Sequence, residues 1–210
     1  MSLKASSGFL RTLPPPALAT CSNKDRFSLS NSYSCEYGTT IPVLNVPVVI
    51  DADALNILSK RDDLLLHLAK NSIFTPHLKE FDCLFGVHKS WWDRLQTARR
   101  MAKKLGSVIV LKNQYTFIID QQGDVMINPT GNPAMSQGGM GDVLTGLITA
   151  YVAQGYSAKA AAILGCYFHG RAGDELALSH HNITASQLAA QIPVTVKSFL
   201  KSVSSIKPLS

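Results

Sequence analysis

The sequence predicts an α/β domain in which a largely parallel sheet is covered by helices on both faces. Three observations carry that expectation. From about residue 46, short β-branched runs alternate with helical stretches over short connections. Runs such as Val46–Ile50 and Val108–Leu111 are almost continuously apolar, as expected for strands buried on both faces. A chain of 210 residues, 46% hydrophobic and 16% charged, is long enough to bury such a core without metal or disulfide staples.

Taken in order, residues 1–45 are rich in Ser, Pro, Asn and Thr, include Pro14-Pro15-Pro16, and keep no period of 2 or 3.6, so they read as loop or disorder. Lys4, Arg11, Lys24 and Arg26 outnumber Asp25 and Glu36 there, the bias of a targeting peptide, but no amphipathic helix or cleavage context accompanies them. The second region, residues 46–210, carries the domain. Val46–Ile50 is a strand stopped by Asp51, and Asp53 then opens a short helix through Leu58. Asp62–Leu68 gives another helical piece, and Ser72–Thr75 a second strand closed by Pro76. Leu78–Phe85 reads as helix, and Trp91–Leu105 as a longer amphipathic one ending at Gly106. Val108–Leu111 is a third strand, and Thr116–Asp120 with Val125–Asn128 form a hairpin around Gln121-Gln122-Gly123. Three helices follow, over about 142–154, about 158–178 behind Ser157, and about 185–202 behind the capping-box spacing Thr184-Ala-Ser-Gln187.

Composition narrows the partners. The formal net charge of +6 suits phosphorylated ligands or nucleic acid, but the basic residues are dispersed. The densest group, Arg99, Arg100, Lys103 and Lys104, lies on a helix with no aromatic interleaving and reads as a solvated face, so no nucleic-acid partner is expected. Cys21, Cys35, Cys83 and Cys166 lack metal-like spacing and read as reduced thiols of a cytoplasmic protein. No apolar run approaches the roughly 18 residues that cross a bilayer, so no membrane partner is expected.

The chemistry concentrates in Asn128-Pro-Thr-Gly-Asn-Pro-Ala-Met-Ser-Gln-Gly-Gly-Met-Gly-Asp142, which runs into the apolar helix beginning at Val143. Gly138, Gly139 and Gly141 let backbone approach a ligand, and a helix start offers unpaired N–H groups to an anion. Asp142 beside those donors suits phosphoryl transfer, with the carboxylate accepting the proton of an attacking hydroxyl; an isolated Asp there would read as an N-cap. Neither a P-loop nor a dinucleotide fingerprint is present.

These residues resemble a known family. Asn132-Pro-Ala-Met-Ser-Gln-Gly-Gly-Met-Gly-Asp142 with Val-Leu-Thr-Gly146 is similar to the signature of the NAD(P)H-hydrate dehydratases. Val49-Ile-Asp-Ala-Asp-Ala-Leu-Asn56, Thr75-Pro-His-Leu-Lys-Glu-Phe81, Val110-Leu-Lys112 with Thr116, and Ala160-Ala-Ala through His169-Gly-Arg-Ala-Gly-Asp174 resemble four further blocks in the family's order. The resemblance implies a ribokinase-like three-layer α/β/α sandwich. It implies an enzyme that phosphorylates the ring hydroxyl of the S-epimer of hydrated NADH or NADPH, using ADP (or ATP) with Mg²⁺, and then releases phosphate to restore NAD(P)H.

By the same matching, Asp142 is the base. Lys112, Asn113, Gln114, Tyr115, Thr116, Asn132, Gly138, Gly139, Met140 and Gly141 line the nucleotide, and His77, Asp53, Asn56 and Asp142 the hydrated dinucleotide. As local alternatives Asp53 caps its helix, His77 is a loop hydrogen-bonder, Lys112 solvates a strand end and His169 packs within its helix pair. The chain departs from the family in carrying Asn113 where Gly is usual, and residues 1–45 do not resemble the family's opening βα units with their G-P-G-L-G loop. The expectation is therefore a domain truncated on its N-terminal side, with an exposed sheet edge favouring homo-oligomers. Two other functions stay open: a ribokinase-like small-molecule kinase, and an inactive nucleotide-binding fragment.

Overall fold

The computed structural model describes residues 46–204 together with two short strands before them, β1 (Ser32–Ser34) and β2 (Thr40–Pro42), which pair antiparallel. Residues 1–45 are thus not uniformly irregular: a short ribbon stands at those six positions, and the remainder of that expectation lies outside the described residues.

The main sheet has five strands in the order β3 (Val49–Ile50), β4 (Ile73–Phe74), β5 (Val108–Leu111), β6 (Thr116–Ile119) and β7 (Val125–Asn128). The β3–β4 and β4–β5 pairings are parallel, whereas β5–β6 and β6–β7 are antiparallel, so β6 alone runs against the other four. The helices are α1 (Ala52–Leu58), α2 (Asp62–Leu65), α3 (Leu78–Phe85), α4 (Trp91–Leu105), α5 (Met140–Ala153), α6 (Ala158–Ala177) and α7 (Ala185–Ser204), with a 3₁₀ turn at Pro133–Met135.

Successive strand residues point to opposite faces and fill two cores. Ile50, Phe74, Ile109, Leu111 and Ile119 pack with α1 to α4, while Ile73, Val108, Val110 and Ile118 pack with α5 and α6. A third cluster, around Met140, Ala172, Ile183, Leu188 and Ile192, fastens α7 to α5 and α6. Three layers, helix on sheet on helix, follow from this alternation, as expected.

Helix ends follow local chemistry. Ser90 and Ser157 cap α4 and α6, and Gly106 ends α4 in the left-handed conformation at φ 60°. Thr184 and Gln187 form the expected reciprocal box, the Gln187 amide donating to Thr184 Oγ1 and the Thr184 amide to Gln187 Oε1. Asp120, fully buried, accepts from the Gln122 and Asp124 amides and pairs with Lys159, which sets the β6–β7 turn and ties it to α6.

Some boundaries are corrected. β3 is shorter than Val46–Ile50 because Pro47 has no N–H to give a ladder and the Val48 amide donates to Ser72 Oγ instead. β4 spans Ile73–Phe74, and α2 stops at Leu65 after a single turn. α1 starts at Ala52, with Asp51 and not Asp53 in the N-cap position. α5 starts at Met140, two residues early, with Gly139 and not Asp142 in the N-cap position. Among the described residues no helix is long and apolar enough to cross a membrane.

Candidate active site

Three parallel strands end side by side, and each hands a polar residue to the same rim: Asp51 after β3, His77 after β4 and Lys112 after β5. Ligands collect at such carboxyl ends in open α/β sheets. The backbone keeps the neighbours in register. Lys112 N–H donates to the Pro76 carbonyl at 2.8 Å, and His77 and Lys112 form an isolated parallel bridge.

Lys112 and Asp51 are joined by a 2.7 Å ion pair, with side chains 20% and 10% exposed. Asp51 stands where a helix cap would stand, yet its carboxylate caps nothing. One oxygen accepts from Lys112 Nζ and the other from Thr145 Oγ1 of α5 at 2.9 Å. Burial raises the Asp51 pKa, but hydrogen bonding and attraction from Lys112, with help from Thr145 and Thr75, hold it below the ordinary carboxylate range. The chain turns sharply to place this group: Ala52, next in sequence, has φ 49°, a left-handed conformation that costs a non-glycine residue about 1 kcal/mol or more.

The Gly-rich segment meets the pair from above. Gly139 takes φ 85° and starts α5, and the first intrahelical bond runs from the Val143 amide to the Gly139 carbonyl. The amides of Met140, Gly141 and Asp142 precede that bond and so are open to an anion. A Cβ at Gly141 would stand 3.5 Å from both Asp51 Oδ2 and Lys112 Nζ, so the ammonium and the open helix end share one corner. Asp142 sits in the first turn of α5, exposed, with no hydrogen bond or ion pair to another described residue.

Helix α6 supports this loop along one face. Asn128 Nδ2 donates to the Cys166 carbonyl and Thr130 Oγ1 to the Tyr167 carbonyl. The Gly131 amide donates to Asp174, and His169 Nε2 lies 2.9 Å from the Met140 carbonyl. Gly170 is needed for the close approach, since a Cβ there would run into Thr130 backbone, and a Cβ at Gly173 would displace the Met135 side chain. Asn132 accepts from the Ala134 amide and starts the 3₁₀ turn between these contacts and the glycines.

The other expected residues fall around this corner or away from it. Asn113, Gln114 and Tyr115 form the exposed loop between β5 and β6, and Thr116 opens β6 opposite Asn128. Gly138 is exposed just before α5. His77 caps α3, accepting from the Glu80 amide, with its ring half exposed. Asp53 and Asn56 lie exposed on α1, and it is Asp51, two residues before Asp53, that meets Lys112. Asp51, Thr145 and Asp174 escape the sequence reading. Asp51 looks like a strand stop, and only its pairing with Lys112, 61 residues away, gives it another role. For His169 and Asp174 a signal existed: His169, Gly170, Gly173 and Asp174 recur at helical spacing on one side of α6.

The site has the donor set for a nucleotide: open amides at a helix start, an ammonium beside them, and two carboxylates. No group of three or more His, Cys, Asp or Glu residues that could cage a metal occurs among the described residues. Mg²⁺ that enters on phosphates needs only one or two protein carboxylates beside it.

The profile of the family described as NAD(P)H-hydrate dehydratase matches residues 40–194. The chain is 44% identical over 139 residues to the bifunctional NAD(P)H-hydrate repair enzyme of Moorella thermoacetica, covering 65% of this chain and 26% of that protein. It is 38% identical over 150 residues to the ADP-dependent (S)-NAD(P)H-hydrate dehydratase of Neisseria meningitidis, covering 70% of this chain and 50% of that one. The ADP/ATP-dependent NAD(P)H-hydrate dehydratase of Bacillus subtilis, co-crystallised with ATP and Mg²⁺, superposes with a TM-score of 0.65 at 34% identity, covering 74% and 56% of the two chains. The chain thus spans about half or less of the length of these two relatives. The three-layer fold is that of the ribokinase-like proteins. With residues 40–194 matched by its profile, the chain belongs to the NAD(P)H-hydrate dehydratase family.

Proposed function

We propose that this chain restores hydrated NADH or NADPH, in the S form, by nucleotide-dependent dehydration in the cytoplasm. The observation that carries the reading is the convergence of the open α5 start, Lys112 and Asp142 in a chain of this family. The amides of Met140, Gly141 and Asp142 receive the terminal phosphoryl group of ADP, or of ATP, and Lys112 adds a positive charge beside it. Mg²⁺ bound with the nucleotide would supply neutralising charge to the phosphates. Asp142 accepts the proton of the ring hydroxyl as its oxygen bonds to phosphorus and the bond from phosphorus to the nucleotide breaks. The carbon–oxygen bond then breaks with its electron pair leaving on phosphate. A proton is lost from the adjacent ring carbon, and the ring double bond returns.

His77, on the neighbouring strand end, faces the dinucleotide, and the loop Asn113–Thr116 with Asn132 and Gly138 borders the nucleotide. Asp53 and Asn56 on α1 form an outer edge of the substrate site. β3, at one edge of the sheet, gives a surface on which copies of the chain pair as a homo-oligomer. The test is recovery of the NADH absorbance band from hydrated NADH with Mg²⁺ and either ADP or ATP, beside Asp142→Asn. Nucleotide-dependent recovery that the substitution removes is expected. A phosphate ester that accumulates without NADH would identify a kinase, and no turnover from a nucleotide-binding chain would overturn the reading.

A further inference from the structure

The geometry points to His169 as a positioning residue that fixes and polarises the Met140–Gly141 peptide, so that the Gly141 amide is held as a phosphate donor. The inference rests on the nucleotide reading above and adds a residue to it. His169 lies in the middle of α6, largely buried, and its Nε2 is 2.9 Å from the Met140 carbonyl. A carbonyl only accepts, so the ring carries its proton on Nε2. That carbonyl belongs to the same peptide group as the Gly141 N–H, one of the open donors at the start of α5. Hydrogen bonding to the oxygen of a peptide draws electron density toward it and strengthens its N–H as a donor. The bond adds a side-chain anchor to a peptide that α5 already orients, at a turn where glycines at 139 and 141 supply little side-chain restraint.

Two further features fit a positioning role. The imidazole is held neutral at physiological pH, since burial drives its pKa down to about 4, so the ring donates a hydrogen bond without adding charge. The residues around it on α6 already hold the same loop, through Thr130 to the Tyr167 carbonyl and Gly131 to Asp174. His169 extends that support to the turn that would meet phosphate.

The experiment compares the full chain with His169→Leu, which keeps volume and removes the donor, and with His169→Gln, whose amide nitrogen can stand near Nε2. ADP affinity is measured by calorimetry and folding by thermal melting. Loss of one hydrogen bond of this kind predicts about five-fold weaker ADP binding in the Leu variant, with Gln within about two-fold of the original. ADP binding by His169→Leu equal to the original, or by His169→Gln as weak as by His169→Leu, would overturn the assignment. The ring itself gives a second readout that needs no variant to fold. Nitrogen-15 spectra are expected to show the Nε2–H tautomer, and an Nδ1–H tautomer would refute the inference. Should the unmodified chain bind no ADP, the nucleotide reading falls. The inference is then decided by the tautomer and by the Gly141 amide shift, expected to move in His169→Leu and return in His169→Gln.

Discussion

The Lys112 ammonium lies 2.7 Å from the Asp51 carboxylate, across the ends of two strands that are not neighbours in the sheet. Both groups are mostly withdrawn from water, so each depends on the other. Removing one partner from such a pair typically costs about 3 kcal/mol, somewhat less here because Lys112 keeps partial exposure. Asp51→Ala is therefore expected to destabilise the chain by about 2 kcal/mol, and Asp51→Ala with Lys112→Met by less than the sum of the two. Because the folded Asp51 pKa is depressed, its contribution is full above the unfolded carboxylate pKa and is lost as pH falls through the folded value. Urea titrations of the four proteins at neutral pH measure the coupling. Strict additivity would show the pair to be incidental.

Most of this architecture could be read from residue pattern because each strand's alternation and each helix's caps are local properties. α3, α4 and β5 fall where periodicity and Gly106 put them. The boundaries that moved did so where non-local bonds decide. Val48 gives its amide to a serine hydroxyl, and Asp51 gives its carboxylate to Lys112 instead of capping α1. The candidate site divides in the same way. The glycines and Asp142 stand out in the sequence because they lie in consecutive residues. Asp51 and Thr145 do not, since their role exists only once β3, β5 and α5 are packed together.

Two glycines near the site separate stability from binding. At Gly141 a methyl group would meet Asp51 and Lys112 at ordinary contact distance, and alanine favours a helix over glycine by about 1 kcal/mol. Gly141→Ala is expected to melt no lower than the original chain while binding ADP at least several-fold more weakly, because the methyl occupies the corner shared with Lys112. At Gly170 the same methyl would strike Thr130 backbone, which cannot step aside like a side-chain tip. Gly170→Ala should cost about 1–3 kcal/mol and loosen the loop before the glycines. Thermal melts with ADP titrations check both. Equal behaviour of the two variants would contradict the packing described here.

Asp142 is exposed and unattached among the described residues, so its conservative replacement should leave folding nearly untouched. Loss of a negative charge in the first turn of a helix changes stability by less than about 1 kcal/mol. Loss of a general base lowers kcat by about 10²–10⁴. Asp142→Asn is expected to show that contrast, with ADP affinity kept or increased as a negative charge leaves the phosphate site. A variant that turns over at the original rate would require a different proton acceptor.

His169 sets the acid limb of stability. Burial lowers its pKa from 6.5 to about 4, with proximity to Lys112 acting in the same direction and its bond to the Met140 carbonyl opposing it. The unfolded chain therefore binds the proton near pH 6.5 while the folded chain resists it until about pH 4. Between those values the unfolded state holds more protons, so stability falls as pH falls, by up to about 3 kcal/mol in total; above about pH 7 the group has no effect. Denaturant titrations from pH 7.5 to about pH 4.5 should show this limb in the original chain and a shallower one in His169→Gln, which has no proton to take up. Parallel curves for the two proteins would mean that the imidazole reaches solvent and titrates freely. The bond from its Nε2 to the Met140 carbonyl would then be open in solution.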